Sequence, residues 1–331
     1  MRQTLTLAAA LGAFVSWTAL AVAADKEVTF AYQDMMTPIR VMMESGALEK
    51  ETGYTVKWVK FGGGGDVIRA MASGDIDMGE AGSSPVATAA SQGLPLKLFW
   101  ILDDIANAEQ LVVRNDAGIK TIADLKGKTV AVPFVSTAHY QLIYALQDAG
   151  LSPNDVKMLN MRPPEIAAAW ERGDVDATFI WAPVLTVAKK NGTVLVSAGD
   201  ISAKGKPTFD GLVVTDEFAA DNKDFMVKFV SLLAKADEAY RKDGAGWAEA
   251  SPEVQAVAKW TGATPADVPA GMAAYVFPTL AEQVSPKWLG GGAAAALKST
   301  SEFLMEQGRV TELAPDYAAF VTKEFAEAAA K

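Results

Sequence analysis

One block of this chain occurs twice. Ile68-Arg69-Ala70-Met71-Ala72-Ser73-Gly74-Asp75-Ile76-Asp77 returns as Ala167-Ala168-Ala169-Trp170-Glu171-Arg172-Gly173-Asp174-Val175-Asp176, and each copy runs on to a small residue and proline, Ser84-Pro85 and Ala182-Pro183. Gly74 and Gly173 stand 99 positions apart. That period is too long for a solenoid and suits a small α/β lobe. Two such lobes face each other across a cleft, where small ligands are held. With 331 residues, half of them hydrophobic, the chain can build a core in each lobe.

The formal net charge of −10 and the lack of any Lys/Arg cluster exclude nucleic acid and an anionic membrane surface as partners. Arg2, the apolar run Leu5 to Leu20 and Ala21-Val22-Ala23 read as a secretory signal over residues 1–23, cleaved after Ala23. The chain has no cysteine, so an exported product depends on core packing alone and has no lipid-bearing cysteine at the cleavage point. The expected product is a freely soluble periplasmic or secreted monomer.

Strands are predicted at Glu27–Tyr32, Tyr54–Phe61, Ile76–Glu80, Lys128–Pro133, Val156–Leu159 and Ala177–Trp181. Helices are predicted from Pro38, from an Asp66 cap, from Ser83-Ser84-Pro85, from Ser136-Thr137 and from Pro164. This alternation gives mostly parallel sheets flanked by helices. Gln110-Leu111-Val112-Val113-Arg114-Asn115 resembles Gly211-Leu212-Val213-Val214-Thr215-Asp216. The two segments bracket the second lobe and are expected to cross between lobes as hinge strands. Lobe 1 is then residues 24–112 and 213–331, and lobe 2 residues 113–212. Beyond Phe218 the chain reads as helical, with Trp247, Trp260 and Trp288 packing it onto lobe 1.

Two stretches carry candidate chemistry. Gly82-Ser83-Ser84-Pro85 and Ser136-Thr137-Ala138-His139 each open a helix at matching places in the two lobes. A helix N-terminus offers unpaired N–H groups and partial positive charge, so it holds an anion without a cation. His139, the only histidine, is expected to be neutral there. An acidic protein of this kind suits a monoanion or zwitterion, whose ammonium calls for a carboxylate and an aromatic face. Asp210, beside a hinge strand, is the leading carboxylate, with Glu109 and Glu80 behind it; Tyr32, Phe134 and Trp181 end strands near the same cleft. Gln33 and Gly82 complete the candidate ligand set, and Gly65 and Asp66 border it. Gly62 to Gly65 lacks the Gly-Lys-Ser/Thr ending of a nucleotide loop and reads as a tight turn or close backbone approach. A Ser/His/Asp hydrolase is weighed and set aside for want of a Gly-x-Ser-x-Gly elbow. One histidine and no cysteine offer little to a metal, and no cofactor is expected.

Gly82-Ser83-Ser84-Pro85, Val132 to Tyr140, Pro163 to Asp174, Trp181-Ala182-Pro183 and Pro207-Thr208-Phe209-Asp210 resemble the taurine-binding members of the nitrate/sulfonate/taurine solute-binding family of ABC importers. The resemblance implies a two-lobed type II binding protein that closes on taurine or a related sulfonate and delivers it to a permease and ATPase complex at the inner membrane. It implies that Ser83, Ser84, Ser136, Thr137 and His139 surround the sulfonate and that Asp210 pairs with the amine. The chain departs from the pattern at Ala138, Glu80-Ala81 and Gly211-Leu212, the last two expected at the amine end. An aliphatic sulfonate, another small anion or another zwitterion is the alternative ligand.

Overall fold

The duplication seen in the sequence is a duplication of backbone. The computed structural model describes residues 26–331, so the expected signal segment lies outside the described residues. Among the described residues ten strands form two five-stranded sheets. The first contains β1 (Glu27–Tyr32), β2 (Thr55–Lys60), β3 (Met78–Gly82), β4 (Leu96–Asp104) and β10 (Phe209–Thr215) in the order β2-β1-β3-β10-β4. The second contains β5 (Glu109–Arg114), β6 (Thr129–Val132), β7 (Lys157–Asn160), β8 (Ala177–Trp181) and β9 (Gly192–Ser197) in the order β7-β6-β8-β5-β9. In each sheet one strand, β10 or β5, is antiparallel to both neighbours, and the other pairings are parallel. The two sheets therefore share one topology.

The repeated block explains itself at this level. Gly74 and Gly173 both sit at positive φ, 83° and 79°, just past their helices, where a residue with a Cβ is strained. The aspartate three positions on does the same work twice. Asp77 accepts the Thr29 amide at 2.8 Å, and Asp176 accepts the Thr129 amide at 2.8 Å. Their carbonyls take the Thr215 and Arg114 amides, each at 2.9 Å. Each copy thus ties a parallel strand to the end of the antiparallel one.

The strands expected to cross each lie inside one sheet. All of β5 belongs to the second sheet and all of β10 to the first, and the chain passes between sheets just before them, over residues 105–108 and 198–208. Extended residues are needed to complete ladders on both sides of β5 and β10, which leaves bending to the short segments between ladders. The helix expected to start at an Asp66 cap begins earlier, at Gly64, with Asp66 inside its first turn. Gly64 is required there by close approach: a Cβ would lie 2.7 Å from Pro85 Cγ.

The C-terminal helices cover the open edge of the first sheet. Gln283 donates to the Ile101 carbonyl at 2.7 Å and accepts the Ile101 amide at 2.9 Å, and Val276 and Val321 bridge to Asp104 and Leu98. Such covering removes an unpaired edge that would otherwise recruit another chain. Trp260 packs edge-on to Tyr32 and Trp288 edge-on to Phe209, whereas Trp247 packs on Tyr240. Among the described residues no helix is long and apolar enough to cross a membrane.

Candidate functional site

The C-terminal ends of β1, β3 and β8 and the starts of β5 and β10 meet between the sheets. There they enclose a cavity of about 10 Å³, the size of one water. Gln33, Met35, Gly64, Gly82, Pro85, Glu109, Ser136, Thr137, Trp181, Asp210 and Tyr275 line it. The lobes are closed on each other. Thr137 reaches across so far that a Cβ on Gly82 would stand 2.6 Å from its Cγ2. Trp181 Nε1 donates to Asp34 Oδ1 at 2.7 Å, joining β8 of one sheet to the loop after β1 of the other. At the rim, Asp66 bonds Arg162 at 3.2 Å from the opposite lobe and also pairs with Arg69.

Two helices point their N-termini at this space. In the Thr137–Asp148 helix, Ser136 is the cap: its Oγ accepts the His139 amide at 3.1 Å and donates to the Pro133 carbonyl at 2.6 Å. In the Ser83–Ser91 helix, Gly82 takes the cap position without a side chain, and Pro85 sits in the first turn. The opening amides of both helices lack intrahelical partners and carry the positive end of the helix dipole.

The cavity wall is acidic. Glu109 accepts a hydrogen bond from Thr137 Oγ1 at 2.6 Å, and its other oxygen, buried, has no partner among the described residues. Burial and the nearby Asp210 charge push the Glu109 carboxyl well above the usual range, against the pull of Thr137. Burial, then the Glu80 charge, raises Asp210 to about 7, while the neighbouring Asp103 carboxyl draws it down. Among the described residues no lysine or arginine lines the cavity. The buried Arg40, which also bonds the Gln33 carbonyl, is already committed: it grips both oxygens of Glu80, at 2.6 and 2.7 Å, with both side chains fully buried. Gln33 is held to that pair by its amide, 2.8 Å from Glu80 Oε2.

Several sequence expectations change here. Glu80, expected at an amine end, is the partner of Arg40 and does not line the cavity. Ser83 and Ser84 are buried, but Gly82 and Pro85 form the wall at their helix; Ser83 Oγ instead accepts the Phe209 amide at 3.4 Å. His139 lies off the wall because it stands two residues beyond Thr137, about 200° around the helix. Its ring stacks on Phe134 at 4.5 Å, Nδ1 accepts the Val135 amide at 3.4 Å, and Nε2 is buried without a partner among the described residues. Burial, helped by Arg309, lowers its pKa to about 4, so it is neutral as expected. With Ser136 bonded to Pro133 and His139 turned away, Ser136, His139 and Asp210 form no relay. Tyr32 packs under Trp260 and Arg40 instead of facing the cavity. Phe134, Gly65 and Asp66 border a separate rim pocket with Arg162. Gln33, Gly82, Glu109, Ser136, Thr137, Trp181 and Asp210 come together as one wall. Sequence reading missed Met35, Gly64, Tyr275 and, behind Asp210, Asp103, and it named Pro85 only as part of the helix start.

Residues 50–244 match the family described as NMT1/THI5 like. The chain belongs to that family. It is 38% identical to the taurine-binding periplasmic protein of Escherichia coli K12 over 97% of this chain and 98% of that one. In fold it is similar to the alkanesulfonate-binding protein SsuA from Xanthomonas axonopodis pv. citri bound to MOPS. The TM-score is 0.75 and the identity 24%, over 91% of this chain and 100% of that one. The periplasmic aliphatic sulphonate binding protein SsuA from Escherichia coli gives a TM-score of 0.71 at 24% identity, over 91% and 93% of the two chains.

Proposed function

We propose that this protein captures taurine, or a close short aminosulfonate, between its lobes in the periplasm and delivers it, as a monomer, to the permease and ATPase of an ABC importer. One observation carries the reading. A single buried cavity has two helix N-termini on one part of its wall, two carboxylates on another, and no lysine or arginine. A sulfonate spreads one negative charge over three oxygens, which suits several amide and hydroxyl donors. The ammonium supplies the cation that Asp210 and Glu109 lack, and Trp181 and Tyr275 add aromatic surface around it. A simple anion would leave those carboxylates uncompensated. A cavity of about 10 Å³ cannot admit such a ligand without opening, so the lobes part for entry and close over it. The ligand leaves chemically unchanged.

Calorimetric titration with taurine, hypotaurine and ethanesulfonate tests this. Taurine is expected to bind far more tightly than ethanesulfonate. Asp210→Asn should weaken taurine by roughly 30-fold or more, the loss typical when one partner of a buried charge pair is truncated, and ethanesulfonate by less than about threefold. Absence of heat with all three compounds, or equal losses for taurine and ethanesulfonate, would refute the reading.

A further inference from the structure

We propose that Asp103 works as a protonated carboxyl that donates a hydrogen bond to Asp210 and so holds Asp210 as the anion receiving the ligand's ammonium. The inference rests on the aminosulfonate reading and adds a positioning residue to it. Asp103 and Asp210 are cross-strand partners on β4 and β10. Asp103 is fully buried, and counted as a carboxylate it finds no donor for either oxygen among the described residues. A carboxylate stranded in this way is among the least favourable states a side chain can adopt. The carboxyl placed opposite it across the ladder, and so within reach of pairing with it, is that of Asp210. Two carboxyls bond each other only when one carries a proton.

The surroundings decide which one carries it. Asp103 meets Asp210 from β10, Asp104 from its own strand, Glu109 from β5 and Glu80 from β3, and every one is acidic. Arg40 is committed to Glu80, and Lys287 reaches Asp104 at 3.6 Å. Tyr275, a further buried neighbour of this cluster, is itself pushed up by burial and then by Asp103. Among the described residues no cation compensates Asp103, and it lies behind the wall, whereas Asp210 lines the cavity where an ammonium arrives. The proton belongs on Asp103 and the charge on Asp210. Burial and the neighbouring charges hold Asp103 well above the usual range, and Asp210 sits near 7, consistent with that order of titration. The carboxyls titrate as a unit, and below about pH 7 a second proton enters and competes with the ammonium.

Taurine and ethanesulfonate titrations from pH 5.5 to 8.5 on wild type, Asp103→Asn and Asp103→Leu test this. Wild-type taurine affinity should rise with pH by up to about tenfold per unit and level off near 7, while ethanesulfonate shows no such rise. Asn keeps an N–H donor and should match wild type within about threefold with the same break. Leu has similar volume and no donor; it should lose roughly 10- to 100-fold for taurine at pH 7.5, with the break displaced to higher pH, and leave ethanesulfonate nearly unchanged. Asn as weak as Leu would mean that Asp103 acts through its charge, and wild-type behaviour in both would make it a bystander; either overturns the inference. Should Asp103→Leu not fold, proton release measured in two buffers on wild type and Asp103→Asn decides, since equal release below pH 7 is required. A wild type that gives no heat with taurine at any pH instead removes the proposed function, a distinct outcome.

Discussion

Gly82→Ala isolates the energetics of closure. Gly82 has φ −66° and ψ 162°, values alanine adopts freely, so the substitution strains no backbone. Its added Cβ, however, stands 2.6 Å from Thr137 Cγ2 on the opposing lobe and 3.1 Å from Asp210 Oδ1. Carbon atoms in contact prefer roughly 3.5–4.0 Å, so the closed lobes must back off by about 1 Å. Overpacking of this size costs about 1–3 kcal/mol. Most of it falls on the closed state, because parting the lobes removes the Thr137 contact. At about 1.4 kcal/mol per factor of ten, taurine affinity should fall roughly 5- to 150-fold. Ligand-free stability should hold or rise slightly, since alanine narrows the unfolded ensemble by about 0.4–1 kcal/mol. Calorimetry with taurine and thermal unfolding without it measure the two quantities separately. Unaltered affinity, or an affinity loss matched by an equal loss of ligand-free stability, would refute the argument.

Glu80→Gln leaves the Arg40 guanidinium buried beside a neutral partner and should lower stability by about 3–5 kcal/mol in urea unfolding. Asp66→Asn removes the rim bond to the mostly exposed Arg162; an exposed pair is worth about 0.2–1 kcal/mol, so ligand release in stopped-flow tryptophan fluorescence should quicken by no more than about fivefold, and high salt should erase the difference. His139 has a folded pKa of about 4, below its unfolded value, so its contribution to stability is complete above about pH 6.5 and is lost as pH falls toward 4. Between pH 6.5 and 5 wild type should lose about 2 kcal/mol more than His139→Gln in parallel denaturant titrations; identical pH slopes would contradict a buried neutral imidazole.

Much of the fold was written in the duplication, because Gly74/Gly173 and Asp77/Asp176 perform identical backbone tasks in the two sheets. The likeness of residues 110–115 to 211–216 marked the two antiparallel strands, yet similarity between strands cannot say which sheet holds them. The site was half legible. Asp210, Glu109, Ser136 and Thr137 lie next to element ends, where turn chemistry leaves a signature. Asp103 was hidden because the strand Leu96–Asp104 was not among those predicted; in it Asp104 faces outward to Lys287 and Asp103 inward. Tyr275 arrives from sixty residues beyond the end of β10, a contact no local pattern encodes. His139 misled because composition singles it out, while its helical phase turns it into the core.

The position of β10 has a bearing on how the molecule is made. It sits between β3 and β4, yet it follows them by the length of a whole lobe. During synthesis the second sheet can be completed as soon as Ser197 has emerged. The first must wait, its β2-β1-β3 half and the apolar strand Leu96–Asp104 separated by a gap that only Phe209–Thr215 can fill. A half-built sheet with two open edges is a target for wrong partners. The later lobe therefore matures first, and the earlier one stays soft until the chain comes back to close it.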